Sequence, residues 1–207
     1  MTIKAIETSY KGYRFRSRLE ARWAVFFDAL DIEFQYEPEG FEKDGQRYLP
    51  DFYLPQSKVW VEVKGSDELL RHDVPRLTAI LDWDSPLPDM SNSAYSDQGG
   101  LLLLGEVPWI AGFGIVLHPI VTHHEGLRLD WAYFAGRRLL RSRDFVHPPW
   151  DELLGFPERE YCIEDDPLRW TTQTKFIDTK RAYTAVLDAY KGARSARFEH
   201  GQYGAAA

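Results

Sequence analysis

The stretch that decides the fold is YLPDFYLPQSKVWVEVKG, residues 48–65. Its two apolar segments, Tyr48–Leu54 and Val59–Lys64, have the composition of β-strands, and the Pro-Gln-Ser-Lys between them is typical of a turn. A four-residue loop pairs the last residue of the first strand with the first residue of the second. The stretch therefore predicts an antiparallel hairpin with a defined register.

This register brings three charged side chains together. Followed back from the loop, it sets Asp51 directly opposite Glu62, with their Cβ atoms about 5 Å apart. Residues two apart in a strand share a face, so Lys64 lies on the same side as Glu62, while the alternate valines point into the opposite layer. Two carboxylates this close repel each other unless a cation lies between them, and their hard oxygen atoms suit Mg²⁺ or Mn²⁺ better than zinc.

Upstream of the hairpin, residues 13–30 carry apolar side chains three and four residues apart, which predicts an amphipathic helix. Ser17 is the expected N-cap, and Glu20, three residues later, completes a capping box. On the helical wheel Glu20 borders the apolar stripe. We therefore expect its carboxylate to face the edge of the core rather than open solvent.

The whole pattern predicts an α/β fold with a central mixed sheet, helices on both faces, a hairpin extension and a C-terminal helix. Residues 1–200 are expected to form one domain and residues 201–207 a flexible tail. The other expected elements are a strand at Ile32–Tyr36, a helix over 67–83 with a break or restart at Pro75, a loop over 85–100, a strand at Leu101–Leu104, a hairpin of Ile115–Thr122 with Leu127–Phe134, and a helix at Thr179–Arg197.

Composition narrows the class of protein. The single cysteine, Cys162, excludes an intramolecular disulfide framework, and no apolar run approaches the ~20 residues needed to cross a bilayer. The N-terminus lacks the apolar core of a signal peptide, so a cytoplasmic protein without a membrane partner is expected. A homodimer or a larger complex is left open.

The hairpin motif resembles a known signature. Pro50-Asp51, a hairpin and then Glu62-Val63-Lys64 is similar to the motif of the PD-(D/E)XK nuclease superfamily, which has the restriction-endonuclease-like fold. The flanking Leu-Pro-Asp-Phe and Trp-Val-Glu-Val-Lys-Gly match as well. The resemblance covers a core motif at 13–105, about half the chain, and leaves 106–200 as an accessory hairpin and C-terminal helix.

The resemblance implies a metal-dependent endonuclease that hydrolyses phosphodiester bonds, with DNA as the expected substrate. Many members carry a further acid on an upstream helix, and Glu20 matches it. Asp51, Glu62 and the Val63 carbonyl would bind Mg²⁺ or Mn²⁺, while Glu20 would hold the metal or its water. Lys64 would orient the attacking water or stabilise the developing charge.

The net charge of −7 argues against a nucleic-acid partner, but the local arrangement of charge decides binding. Basic residues cluster near the predicted N-terminal helix and in the C-terminal helix. The expected nucleic-acid contacts are Lys11, Arg14, Arg16, Arg18, Arg194 and Arg197.

Two other functions remain open from the sequence. One is a nuclease-like module that binds nucleic acid or protein without cleavage, and the other is an interaction protein that uses the aromatic-rich segment 144–170. The intact acid–acid–lysine set favours the enzyme, because a non-catalytic copy is free to lose it.

Overall fold

A mixed β-sheet runs through the molecule and carries helices on both faces. The computed structural model describes residues 6–82, 84–90, 99–123, 126–141, 161–162, 168, 170–178 and 182–198. The helices within these ranges are α1 (Arg18–Ala29), α2 (Asp67–Leu81) and α3 (Thr184–Ser195). The strands are β1 (Thr8–Tyr10), β2 (Tyr13–Phe15), β3 (Gln35–Tyr36), β4 (Phe41–Lys43), β5 (Gln46–Tyr48), β6 (Phe52–Leu54), β7 (Val59–Val63), β8 (Leu101–Leu104), β9 (Gly114–His123), β10 (Leu127–Ala135), β11 (Arg138–Arg141), β12 (Tyr161–Cys162) and β13 (Lys175–Asp178). The predicted α/β class with a mixed central sheet is confirmed.

The strand order of the central sheet is β11-β10-β9-β8-β7-β6-β3, with β12 paired to β10 and β13 paired to β9. Strands β7 and β8 are parallel, and the other described pairs in the sheet are antiparallel. Helix α2 makes the crossover between β7 and β8. The C-terminal ends of β7 and β8 therefore lie at the same edge of the sheet.

The predicted hairpin register is confirmed. Leu54 pairs with Val59 and Phe52 with Val61, so that continuing the ladder sets Asp51 against Glu62. The first strand is shorter than predicted, because β5 ends at Tyr48 and β6 begins only at Phe52. Pro50 lies in this gap, and it has no N–H to donate to the ladder.

The helices differ from the predictions in their bounds and at Pro75. Helix α2 ends at Leu81 rather than 83, and α3 begins at Thr184 and ends at Ser195, within the predicted Thr179–Arg197. Helix α1 begins at Arg18 rather than 13, because residues 13–15 form β2 and pair with β1. Helix α2 continues through Pro75 without the expected break. Val74, directly before this proline, and Leu77, two residues after it, are buried, so packing on the sheet outweighs the one helical hydrogen bond that proline removes.

Two apolar layers cover the sheet. On one face, α1 and α3 pack against Val61 and Val63 of β7 in an aromatic-rich core that includes Trp23 and Tyr190. On the other face, α2 packs against Trp60. The alternation predicted for β7, with the valines on one side and Glu62 on the other, is what divides these two layers.

The other predicted elements have mixed outcomes. The strand expected at Ile32–Tyr36 is only Gln35–Tyr36, while Leu101–Leu104 and the β9–β10 hairpin are confirmed. Residues 91–98 of the predicted loop, 144–160 of the aromatic-rich segment and the tail 201–207 lie outside the described residues. None of the helices in the described ranges is long and apolar enough to cross a lipid bilayer.

Candidate functional site

Charged side chains gather where β7 ends and β6 begins. Asp51 is 4% exposed and Glu62 is 3% exposed, although both are acids. Lys64 directly follows β7, and its side chain is 22% exposed. Buried charges need partners, because removal from water costs several kcal/mol per ion. The partners of these three side chains define the site.

Both carboxylate oxygens of Glu62 are engaged. The Tyr48 hydroxyl donates to Oε2 at 2.8 Å, and the Lys64 ammonium lies 2.8 Å from Oε1. Burial raises the pKa of the Tyr48 hydroxyl, and the neighbouring Glu62 charge raises it further. Tyr48 therefore remains a neutral donor that holds the Glu62 carboxylate in one orientation.

Lys64 bridges two acids. Besides Glu62, its Nζ contacts Asp73 Oδ2 on α2 at 2.8 Å, and Arg76 lies 3.1 Å from the same oxygen. Burial lowers the pKa of Lys64, but the charge of Glu62 and the bond to Asp73 outweigh it and raise the pKa above its ordinary value. Lys64 is thus a fixed ammonium at neutral pH, and a fixed ammonium cannot act as a base.

The Asp51 side chain continues the hydrogen-bonding pattern at the end of the β6–β7 ladder. The Val63 N–H donates to Oδ2 at 2.7 Å, and Arg16 Nη2 donates to Oδ1 at 3.0 Å. The ladder position opposite Val63 is Pro50, which cannot supply a backbone donor. Since the N–H and C=O of a strand residue point to the same side, the Val63 carbonyl also faces this proline.

Negative charge exceeds its compensation around Asp51. Burial raises the pKa of the Asp51 carboxyl well above its ordinary value, and the charges of Glu62 and Glu20 raise it further. The Val63 N–H and the Lys64 charge act in the opposite direction without cancelling the shift. A cation at this position would relieve that repulsion.

Glu20 reaches the same region from the first turn of α1. Its Oε1 accepts the Ser17 hydroxyl at 2.6 Å, and its Oε2 accepts the Tyr36 hydroxyl at 2.7 Å and the Arg16 N–H at 3.1 Å. The N-cap prediction is confirmed, because Ser17 Oγ accepts the Glu20 N–H at 3.2 Å. Arg16 links the two acids, since its backbone binds Glu20 and its side chain binds Asp51.

Four residues that contact the acids were not predicted from the sequence to do so. Tyr36, Tyr48 and Asp73 were not expected near the acids, and Arg16 was expected to contact nucleic acid. In the structure Arg16 lies between Asp51 and Glu37, and its contact with nucleic acid stays a prediction. In a continuous strand Tyr48, three residues before Asp51, would lie on the face opposite Asp51 and Glu62, so the sequence carries no signal for it. The break between β5 and β6 is what brings its hydroxyl to Glu62.

The other expected nucleic-acid contacts fall into two groups. Near the N-terminus, Lys11 pairs with Asp28 at 2.9 Å, Arg14 pairs with Glu7, and Arg18 lies half-buried on α1. At the C-terminus, Arg194 is in the last turn of α3 and Arg197 follows it, exposed; neither forms an ion pair with any acid among residues that the structure describes.

The oxygen atoms of the site are of the type that binds a hard cation. It comprises the Asp51 and Glu62 carboxylates and the Val63 carbonyl, and Mg²⁺ is commonly bound through one or two carboxylates together with water. Their oxygens are directed at Arg16, Lys64 and Tyr48 instead, and in the described part of the chain no three His, Cys, Asp or Glu side chains form a group that could hold a metal ion. A bound cation would therefore displace one of these partners.

No protein-family model, no curated protein and no solved structure matches this chain.

Proposed function

We propose that this chain is a metal-dependent nuclease that hydrolyses phosphodiester bonds in DNA, built on a restriction-endonuclease-like core. The observation that carries the proposal is the pair of buried acids, Asp51 directly before β6 and Glu62 in β7, with the Lys64 ammonium beside them. The parallel pair β7–β8 supports it, because ligands of open α/β sheets bind outside the carboxyl ends of such strands.

Keeping this cluster of charges buried lowers the stability of the fold, so a function explains the cluster better than stability does. Like charges held together in a buried place cost stability, and apolar residues of the same volume commonly stabilise a protein more than buried ions do. An arrangement in which Glu20 and Glu62 both raise the pKa of Asp51 is therefore costly to the fold. Functional sites are where such costs are commonly found.

Asp51, Glu62 and the Val63 carbonyl would hold Mg²⁺ or Mn²⁺, with Glu20 binding the ion or its water. When bound, the ion supplies a more acidic water and neutralises charge on the phosphate. This assignment rests on the type and position of the oxygen donors.

The chain's own residues provide orientation and fixed charge. Lys64 keeps its proton, so its part is to donate a hydrogen bond to the attacking water or to a phosphate oxygen as negative charge develops. Asp73 holds the ammonium in place from α2. Tyr36 and the Arg16 N–H hold the Glu20 carboxylate, which orients the attacking water.

The test is a cleavage assay on linear, supercoiled and single-stranded DNA and on RNA, with Mg²⁺ or Mn²⁺. Glu62→Gln keeps the size of the side chain and should abolish cutting. Glu42→Gln, which changes an exposed acid in the β4–β5 ribbon, should cut like the wild type. A wild type that binds these substrates but cuts none of them would favour the non-catalytic module, and one that does neither would favour the interaction protein.

A further inference from the structure

A groove lies between the loop that follows β8 and one side of α3. Its volume is about 480 Å³, within the range of small-ligand sites. The loop side contributes Trp109 and Ile110, and the helix side contributes Tyr190, Lys191 and Arg194. None of these residues belongs to the carboxylate cluster, so the groove has no part in the chemistry described above.

Trp109 gives the groove an open aromatic surface. It is 72% exposed, whereas Trp23, which lies under the same loop, is fully buried and donates to the Gly105 carbonyl at 2.8 Å. The base of the loop is thus fixed to α1 while the indole of Trp109 remains available. An exposed indole can stack on a planar ring.

The helix side of the groove is positively charged. Lys191 and Arg194 lie one helical turn apart and so project from the same side of α3. Within the ranges that the structure describes, neither pairs with an acid, in contrast to Lys11 and Arg14, which do. Asp188 is the acid in the groove lining, so the cations outnumber it there.

The groove and the carboxylates lie at one edge of the sheet. Val63 at the end of β7 pairs with Leu104 at the end of β8, and the Lys64 N–H donates to the Leu104 carbonyl at 2.9 Å. Lys64 therefore begins where β7 stops, and the loop bearing Trp109 begins where β8 stops. Glu20 and Trp23, both on α1, link these two places.

We propose that this groove binds an unpaired segment of the nucleic-acid strand, with a base stacked on Trp109 and adjacent phosphates on Lys191 and Arg194. The choice of nucleic acid rests on the proposed function. An unpaired strand is the occupant because a base inside a duplex has both faces covered by its neighbours, whereas an unpaired base offers a face to an aromatic side chain. The groove thereby selects substrates with single-stranded regions.

The test measures binding without cleavage. The full chain is titrated in EDTA against a labelled oligothymidylate about 12 nucleotides long and against a blunt duplex of equal length, with anisotropy as the readout. Trp109→Ala should weaken single-strand binding about 10- to 100-fold, the loss expected for one stacked base, and change duplex binding less than about 2-fold. Trp109→Phe should restore most of the affinity. Leu69→Ala, which removes an exposed apolar side chain on α2, is the matched control and should change neither.

The cations are tested by salt dependence. Replacing Lys191 and Arg194 together by glutamine should lower the slope of log affinity against log salt by about 1 to 2, as expected for two lost phosphate contacts. Arg47→Gln, an exposed arginine paired with Glu42, should leave the slope unchanged.

The outcomes separate this proposal from the nuclease proposal. Unchanged single-strand binding in Trp109→Ala, or equal losses for single strand and duplex, overturns the groove assignment even if the wild type cuts DNA. Selective loss in Trp109→Ala supports the groove even if the wild type cuts nothing, because the assay contains no metal. A wild type that binds no single strand overturns it outright.

Discussion

Asp51 and Asp67 are close in sequence, but their surroundings shift the carboxyl pKa in opposite directions. Asp51 faces Glu20 and Glu62, and burial together with these charges raises its pKa. Asp67, in the first turn of α2, accepts hydrogen bonds from the Thr172 N–H and hydroxyl, the Thr171 hydroxyl and the Gln173 amide, at 2.7 to 3.0 Å. Burial raises the pKa of Asp67, but these bonds outweigh it and lower the pKa below its ordinary value.

The difference separates a carboxylate that stabilises the fold from the carboxylate that we propose to act in the site. Asp67 fastens residues 171–173 to the start of α2, and the fold gains from its charge. The surroundings of Asp51 disfavour its charge, and within the described part of the chain its hydrogen-bond donors are the Arg16 side chain and the Val63 N–H. A protein selected only for stability would have little reason to keep it.

After the loss of cutting expected for Glu62→Gln, the largest effect is expected at the lysine of the carboxylate cluster. Lys64→Ala should lower the rate of cleavage at saturating substrate about 10²-fold, because it removes a positioned positive charge from the developing negative charge. Arg71→Ala, which removes the cation 3.7 Å from Asp67, should leave the rate unchanged. Metal affinity should not fall in Lys64→Ala, and equal rates in the two variants would contradict the assignment.

Metal binding should distinguish the two aspartates next. Mg²⁺ or Mn²⁺ at about 100 times its dissociation constant should stabilise the wild type by about 2.7 kcal/mol, since it binds only the folded state. Asp51→Ala and Glu62→Ala should lose this stabilisation, while Asp67→Ala should retain it. The measurement is the melting temperature with and without the ion; a shift that persists in all three variants would place the ion elsewhere.

Without metal, the two aspartates should differ in the sign of their effect on folding. Asp67→Ala should lower the free energy of unfolding by about 1–3 kcal/mol, because the Thr172 N–H loses its acceptor. Asp51→Asn should leave it unchanged or raise it, because a neutral side chain removes the repulsion from Glu62 and Glu20 while its amide oxygen still accepts the Val63 N–H. Its amide nitrogen replaces the oxygen that Arg16 binds, but the Arg16 side chain is 56% exposed and keeps its ion pair with Glu37. Urea unfolding at neutral pH gives both values.

The hairpin shows which part of this contrast between Asp51 and Asp67 could be predicted from the sequence. The four-residue loop fixed the pairing of Leu54 with Val59, and that pairing alone brought Asp51 to Glu62. Arg16 and Asp73 were beyond reach, because their contacts with the acids depend on how α1 and α2 pack on the sheet. The spacing of residues along a strand predicts which residues pair across the hairpin. It does not predict which side chains from distant elements pack against them.

The same limit applies to the second aspartate and to the helices. From the sequence, Asp67 is an ordinary acidic residue in the first turn of a helix. Its partners around residue 172 are distant along the chain, so the local sequence does not predict them. Pro75 reads as a helix break, yet the buried neighbours of this proline keep α2 continuous. In both cases long-range packing outweighs the local pattern.

The smallest expected effect is in the pH dependence of stability. The folded-state pKa of Asp67 is lowered, so its stabilising contribution is present above the ordinary value of about 3.9 and is lost as the pH falls through the folded value. The folded-state pKa of Asp51 is raised, so its contribution is present below the ordinary value and is lost as the pH rises through the folded value.

Urea unfolding of variants at a series of pH values checks these signs. The advantage of Asp51→Asn over the wild type should grow as the pH rises from about 4 toward neutrality. The disadvantage of Asp67→Asn should shrink as the pH falls below about 4. Parallel curves for the two variants would remove the distinction drawn between the two carboxylates.

The bond from the Val63 N–H to Asp51 also makes the backbone a spectroscopic reporter. An amide proton held 2.7 Å from a carboxylate oxygen, measured between heavy atoms, shifts its magnetic resonance frequency when that oxygen gains a proton or a metal ion. The charge of Glu62 acts on Asp51, so a bulk titration does not isolate the signal of Asp51. The ¹⁵N-labelled amide of Val63 follows the one oxygen that it touches, and it does so in the wild-type chain with every side chain in place.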